Sequence, residues 1–212
     1  MNAPNLSRRE FAAALGGIVI CFSLAPRLAL GQQASLPGSL NGNRMLDAWL
    51  RLDRDGTATV FTGKVELGQG IVTALAQIAA EELDLPLERI KMISGDTGQT
   101  PNEGQTAGSQ SIEASGTALR MAGAEARAIL IDLAAKRLGV AADTLTVSDG
   151  VIAGRDGRKV GYGELAGEVD LHREATAKVA PKPPAEHKIV GKAIPRRDIP
   201  AKVTGEIGRA HV

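Results

Sequence analysis

Cysteine and aromatic side chains are scarce in this chain of 212 residues. Cys21 is its one cysteine, so no disulfide, thiolate metal site or iron–sulfur cluster can be built from this chain alone. One Trp, one Tyr and three Phe are too few for a platform on which nucleic-acid bases stack. Any electron transfer through the protein would therefore need iron–sulfur clusters on another subunit.

An excess of charge of one sign is also missing. The net charge is +1 with mixed signs, which excludes the basic surface of a nucleic-acid binder. The pattern Gly-x-Gly-x-x-Gly is absent, which argues against a dinucleotide-binding Rossmann fold. Gly-x-Ser-x-Gly is absent too, so a secreted serine hydrolase that uses Ser109 remains only a weak alternative. The histidines His172, His187 and His211 lack the Cys or carboxylate pattern of a metal site, and no metal ligand is assigned.

The N-terminus, residues 1–31, has the composition of a bacterial export signal. Arg8 and Arg9 precede an uncharged stretch, residues 11–24, that is short for a membrane span of ~20 residues. The adjacent arginines indicate the twin-arginine route, which carries folded proteins, and a periplasmic or periplasm-facing location. The alternatives are an amphipathic surface helix and a lipid anchor at Cys21.

The remaining sequence predicts short strands and two long helices. The predicted strands are residues 48–52, 57–62, 89–94, 144–147 and 151–152, and the predicted helices are residues 71–83, 111–138 and 161–167. Ser111 is the expected N-cap of the longest helix. Gly116 and Gly123 inside it each cost roughly 1 kcal/mol relative to Ala, which is tolerable if another backbone packs there. The pattern predicts an α+β fold with a small antiparallel or mixed sheet, in an antiparallel-like strand order, and two main helices.

Two loops rich in small residues run directly into these long helices. Gly68, Gln69 and Gly70 precede the helix at 71–83. The second loop carries four candidate binding residues, Thr106, Gly108, Ser109 and Ser111. Glycines admit a flat ligand, Gln offers donors and an acceptor, and hydroxyls at a helix N-terminus suit phosphate. The pair predicts a large phosphate-bearing cofactor; the alternative is that both loops are only turns and caps.

Five segments of the chain closely resemble the large molybdenum-binding subunit of the xanthine dehydrogenase and aldehyde oxidoreductase family. The segments are residues 63–70 (GKVELGQG), 76–83 (AQIAAEEL), 95–97 (GDT), 106–111 (TAGSQS) and 190–205 (VGKAIPRRDIPAKVTG). With the twin-arginine start, they are similar to the exported bacterial branch of isoquinoline 1-oxidoreductase beta subunits and nicotinate dehydrogenases.

The resemblance implies a domain organisation. Residues 44–179 are expected to form part of a molybdopterin-binding domain, residues 180–188 a Pro-rich linker, and residues 189–205 the start of a hammerhead-like domain. We expect the chain to be an N-terminal fragment and residues 206–212 to be a non-native tail.

The resemblance also implies a molybdopterin cofactor, in the cytosine dinucleotide form, with molybdenum. The implied reaction is the oxidation of an N-heterocycle or an aldehyde with oxygen from water. The implied partners are a small 2Fe–2S subunit and a cytochrome c electron acceptor. The segment that bears the family's catalytic glutamate is absent, and the nearby Glu66 and Glu103 do not match it, so no catalytic residue is assigned. The alternative is a noncatalytic periplasmic binding or assembly module that contacts a partner through the helix at 111–138.

Overall fold

The computed structural model of the protein describes residues 35–206. The predicted export signal, residues 1–31, and residues 207–212 of the predicted tail lie outside the described residues. All of the described residues fall within one unit by their mutual contacts. The division into domains therefore stays a prediction.

The first sheet contains three strands in the order β1–β2–β3. They are β1 (Leu50–Leu52), β2 (Ala58–Thr62) and β3 (Ile90–Ser94). A tight turn joins β1 to β2, which are antiparallel, as the sequence predicts. Every residue of the central strand β2 is buried, because a strand lies on either side and helices pack against the sheet.

β2 and β3 are parallel, so the expected antiparallel-like strand order is wrong for this pair. The helix α1 (Ile71–Leu83) lies between them in sequence and carries the chain back to the starting edge of the sheet. Such a crossover makes the next strand parallel, whereas a short turn makes it antiparallel. The register pairs Thr62 with Ser94, so both strands end at the same edge.

The longest helix begins with a π-helical turn, Ser111–Gly116, and continues as α2 (Thr117–Leu138) to a left-handed Gly139. Ser111 is not its N-cap: Gln110 takes that position, and its side chain makes no capping hydrogen bond to the turn. The helices α1 and α2 pack against each other and against the first sheet. The largest fully buried side chains of this core include those of Trp49, Leu75, Leu83, Leu119 and Leu130.

A second sheet, with strand order β4–β5–β6, is an antiparallel meander. It consists of β4 (Leu145–Ser148), β5 (Val151–Gly154) and β6 (Lys159–Gly161), followed by the short helix α3 (Tyr162–Leu165). Asp149 and Gly150 both have positive φ at the β4–β5 turn, which matches the twist of a two-residue hairpin. Tyr162 is buried, and its hydroxyl donates to the carbonyl of Leu83 at 2.9 Å, joining this sheet to the end of α1.

The last part of the chain lies along α1 and ends in the short helix α4 (Ile199–Val203). We call residues 182–198 the strap. The strap begins at Lys182, whose buried ammonium donates to Asp84 and to the carbonyl of Glu81 at 2.5 Å each. The predicted Pro-rich linker therefore contacts α1 directly. The predicted start of the next domain, in turn, packs on this helix.

Candidate functional site

The two candidate loops emerge side by side, because β2 and β3 are parallel and end together. The first loop, residues 63–70, follows β2, and the second, residues 95–110, follows β3. The N–H of Val65 donates to the Thr106 hydroxyl oxygen at 2.9 Å, which joins the loops. Ligands of open α/β sheets bind outside the carboxyl ends of parallel strands, so this edge is where a site is expected.

Lys64 fixes the second loop to the first. Its side chain is buried, with 1% of the residue's surface exposed. Its ammonium donates to the carbonyls of Glu103 and Gln105 at 2.8 and 2.9 Å. A buried charge is tolerated where it is well hydrogen-bonded, so this contact orders both loops. Lys64 was missed at the level of sequence, since no local pattern marks a lysine whose acceptors lie about 40 residues away.

Glu103 ties the same loops to the π-helical turn. Its Oε2 accepts hydrogen bonds from the Thr62 hydroxyl, the Gly63 N–H and the Ser115 hydroxyl, at 2.8 to 3.0 Å. Its Oε1 is buried and has no partner among the described residues. Glu103 therefore links the end of β2 to the start of the longest helix.

Glu66 occupies the N-terminus of α1. Its Oε1 accepts the N–H groups of Gly68 and Gly70 at 2.8 Å each, and its Oε2 accepts the N–H of Val72 at 3.2 Å. A carboxylate at this position satisfies donors that the helix leaves unpaired and complements the helix dipole. The chain's own carboxylate therefore occupies the backbone N–H groups at this helix end.

Gln69 lies at the exposed tip of the first loop. Its Oε1 accepts the N–H of Leu67 at 2.5 Å, and its Nε2 donates to the carbonyl of Val65 at 3.0 Å. These bonds fix the side chain and leave its second amide hydrogen and its backbone N–H without a described partner. Gly68 has φ of +104°, and apart from its two chain neighbours no described residue has an atom within 4 Å of where its Cβ would be. The loop thus presents hydrogen-bond donors beside open space. A flat ligand with a polar ring edge requires both.

The second loop has more unsatisfied donors. The N–H groups of Gly108 and Ser109, and the hydroxyls of Ser109 and Ser111, have no hydrogen-bond partner among the described residues. Gly108 and Ser109 are exposed and have φ of +62° and +60°. A left-handed serine costs on the order of 1 kcal/mol, a strain that often marks a ligand site. This set of donors at the start of a long helix fits a phosphate.

The structure therefore brings Thr106 to the first loop and leaves Gly68, Gln69, Gly108 and Ser109 exposed. No hydrogen bond joins Gln69 to Ser109 among the described residues. The assignment of Gln69 and Ser109 to one shared cofactor site stays a prediction. Within residues 35–206, no three His, Cys, Asp or Glu side chains are grouped to hold a metal ion, and no helix has the length and apolar composition to cross a membrane.

Comparison with known proteins shows the family to which this chain belongs. Residues 10–191 match the family described as a molybdopterin cofactor-binding domain. A subunit of the nicotinate dehydrogenase of Pseudomonas putida is 36% identical over 97% of this chain and 17% of its own length. The beta subunit of the isoquinoline 1-oxidoreductase of Brevundimonas diminuta is 31% identical over 95% of this chain and 31% of its own length. The chain thus spans less than a third of either relative.

A solved structure agrees with these sequence matches. The crystal structure of a Cu,Mo-CO dehydrogenase superposes with a TM-score of 0.51 and 26% identity, covering 59% of this chain and 17% of that one. The predicted resemblance and the α+β fold with small sheets and two main helices are confirmed. This chain belongs to the molybdopterin cofactor-binding domain family, as found in the molybdenum-binding subunits of the xanthine dehydrogenase and aldehyde oxidoreductase family.

Proposed function

We propose that the protein containing this chain is a molybdenum-dependent oxidoreductase that hydroxylates an N-heterocycle or oxidises an aldehyde, with oxygen taken from water. In this proposal the cofactor is the cytosine dinucleotide form of molybdopterin. The names of the two curated relatives, a nicotinate dehydrogenase and an isoquinoline oxidoreductase, support a nitrogen heterocycle as the substrate class.

The unsatisfied donors of the second loop carry the proposal. The N–H groups of Gly108 and Ser109 and the hydroxyls of Ser109 and Ser111 would bind the cofactor's phosphates. Thr106 accepts a bond from Val65 and keeps its own hydroxyl hydrogen for the ligand. Gln69 would donate to the pterin edge across the space beside Gly68. When bound, the cofactor supplies a molybdenum centre that accepts two electrons from the substrate.

The electrons would leave through a small 2Fe–2S subunit to a cytochrome c. Both curated relatives are named as subunits, which supports a partner chain. Residues 1–212 contain one cysteine, Cys21, and would not hold such clusters themselves; in this proposal the clusters belong to the partner. We further propose export by the twin-arginine route to the periplasm, on the basis of Arg8 and Arg9.

The test is the cofactor content of the protein that contains this chain, purified from cells that synthesise molybdopterin. We expect about one molybdenum and one pterin per chain, with cytidine monophosphate released on acid hydrolysis. The double substitution Ser109→Ala and Ser111→Ala should lower both contents several-fold, since charge-assisted bonds to phosphate are lost. Ser148→Ala, which removes an exposed hydroxyl on the second sheet, is the matched control. A wild-type protein without molybdenum and pterin would contradict the proposal and favour a noncatalytic binding module.

A further inference from the structure

The strap follows α1 from its C-terminal end to its N-terminal end. Near the C-terminal end, the Glu81 carboxylate accepts the backbone N–H groups of Lys188, Ile189 and Val190 at 2.6 to 3.1 Å. One turn earlier in the helix, Gln77 donates to the strap carbonyl of Ile189 at 3.0 Å. The strap is therefore bound to the helix at successive turns.

The strap reaches the glycine loop at Arg196. The backbone N–H of Arg197 donates to the Thr73 hydroxyl at 3.0 Å, which positions this end of the strap on the first turn of α1. Arg196 then donates from Nη1 to the carbonyl of Gly68 and from Nη2 to Oε1 of Glu66 at 3.4 Å. Its Cδ lies 3.6 Å from the position that a Cβ on Gly70 would take. One side chain thus contacts the loop at three places.

Asp198 orients the Arg196 guanidinium in turn. It accepts from Nε at 3.0 Å and from Nη2 at 2.6 Å, a two-point contact that fixes a planar guanidinium. Lys202 donates to the same carboxylate at 2.6 Å. The hydrogen bonds from Arg196 hold the pKa of Asp198 well below its usual range. The carboxylate therefore stays charged, and the arrangement persists at any physiological pH.

We propose that Arg196 is a positioning residue for the molybdopterin cofactor: by holding Glu66 and the carbonyl of Gly68, it fixes the loop that presents Gln69. Glu66 binds the N–H groups of this loop, and Arg196 binds both that carboxylate and the loop's carbonyl. Without Arg196, the loop keeps its internal bonds but loses its anchor to the strap. The inference rests on the proposed function, because the ligand it serves is the proposed cofactor.

The test compares Arg196→Gln, Arg196→Lys and the control Arg197→Gln in the purified protein that contains this chain. Arg197 is exposed, and its side chain has no described hydrogen bond. Two quantities are measured: amide hydrogen exchange at Gly68, Gly70 and Val72, and molybdenum and pterin per chain after extended dialysis. We expect Arg196→Gln to speed exchange about tenfold, as the loss of a charge-assisted bond implies. It should also lower retained cofactor at least threefold, with Arg196→Lys intermediate and Arg197→Gln unchanged.

Two results would overturn the role of Arg196. Unchanged exchange at the three amides in Arg196→Gln would show that the loop does not depend on this side chain. Faster exchange with wild-type cofactor content would show that Arg196 stabilises the loop without serving the cofactor. A wild-type protein that lacks molybdenum and pterin is a different result, because it overturns the proposed function itself.

Discussion

Glu103 has two carboxylate oxygens in opposite situations. Oε2 accepts three hydrogen bonds, and Oε1 is buried with no partner among the described residues. Thr62 and Ser115, which donate to Oε2, are themselves fully buried, and their hydroxyl oxygens lie 2.9 Å apart. At the scale of single residues, this carboxylate and the Lys64 ammonium hold the second loop against the first.

Replacement of Glu103 by Ala should lower the free energy of unfolding by about 2 kcal/mol, because the buried hydroxyls of Thr62 and Ser115 and the partly buried N–H of Gly63 lose their acceptor. The matched control is Glu113→Ala in the adjacent π-helical turn, where the carboxylate is exposed and has no described partner. That change should stay within about 0.5 kcal/mol of wild type. Urea denaturation measures both values, and equal midpoints for the two variants would contradict this role of Glu103.

His172 is a residue whose pKa is shifted by its neighbours. Its Nδ1 lies 2.6 Å from Oδ2 of Asp47, and the side chain is otherwise exposed. The hydrogen bond and the charge of Asp47 raise the pKa of His172 above 6.5, with a smaller contribution from Asp170. The ion pair therefore stabilises the fold below about pH 6.5 and is lost as the pH rises through the raised pKa.

An NMR titration should show this raised pKa directly. Asp47→Asn should return the pKa of His172 towards 6.5, because both the acceptor charge and the hydrogen bond to the charged imidazole weaken. Asp170→Asn should lower the pKa of His172 less than Asp47→Asn does. A titration in which Asp170→Asn has the larger effect would show that the Asp47 contact is not formed in solution.

The contact between α1 and the longest helix depends on two glycines, Gly116 in the π-helical turn and Gly123 in α2. A Cβ on Gly123 would lie 2.9 Å from the Cβ of Glu82, and a Cβ on Gly116 would lie 3.1 Å from Cδ1 of Ile78. The nearest atom at each position thus belongs to a side chain of α1 and not to its backbone. Glu82 Cβ is fixed to its helix, whereas Ile78 Cδ1 is the end of a side chain that can change rotamer.

Gly123→Ala should therefore destabilise the protein, and Gly116→Ala should be close to neutral. Each change gains roughly 1 kcal/mol of helix propensity. At Gly123 the helices must also separate, and overpacking of this kind costs about 1 to 3 kcal/mol. Thermal unfolding of the two variants measures the difference, and a higher melting temperature for Gly123→Ala would contradict the close approach of the helices.

At the scale of helices and strands, the sequence predicts the individual elements better than their arrangement relative to one another. Helix 71–83 is confirmed to the residue, because its apolar period is regular and Gly70 and Pro86 bound it. The three-residue strand β6 was missed, since three residues do not establish a period. The parallel direction of β3 was also missed, because it depends on where the crossover helix returns.

At the scale of the whole molecule, charged side chains form hydrogen bonds with backbone groups from distant parts of the sequence. Glu125 on α2 accepts the N–H groups of Thr176 and Ala177, and Glu81 on α1 accepts three N–H groups of the strap. No local pattern in the sequence marks these partners. The two candidate loops were predictable as loops that precede helices, because their residue types and positions are local. The position of both loops at the edge where β2 and β3 end was not predictable, and neither was the occupation of the N-terminus of α1 by Glu66.

Acid should release the strap. Burial alone would raise the pKa of Glu81, but the hydrogen bonds from Ile189, Val190 and Lys188 and the charge of Lys182 outweigh it, and the pKa lies below the usual 4.5. Glu81 therefore stabilises the folded state above about pH 4.5, and this contribution is lost as the pH falls through the lowered pKa. We expect the protection of the Lys188, Ile189 and Val190 amides to fall over that range.

Hydrogen exchange from pH 7 to pH 3.5, corrected for intrinsic rates, follows this release. Glu81→Gln should remove the protection at every pH, at a cost of about 2 kcal/mol in stability. Glu88→Gln, which changes an exposed carboxylate near the same end of the helix, is the control and should follow wild type. Protection of the three amides in Glu81→Gln equal to wild type would show that other contacts hold the strap.

The loops at residues 63–70 and 106–111 are proposed to bind one molybdopterin cofactor between them. The most direct measurement is a crystal or electron cryomicroscopy structure of the protein purified with molybdenum and pterin bound. We predict density for a single cofactor in contact with both Gln69 and the Gly108, Ser109 and Ser111 donors, at the edge where β2 and β3 end. A cofactor that contacts only one of the two loops, or that lies at another surface, would contradict the account.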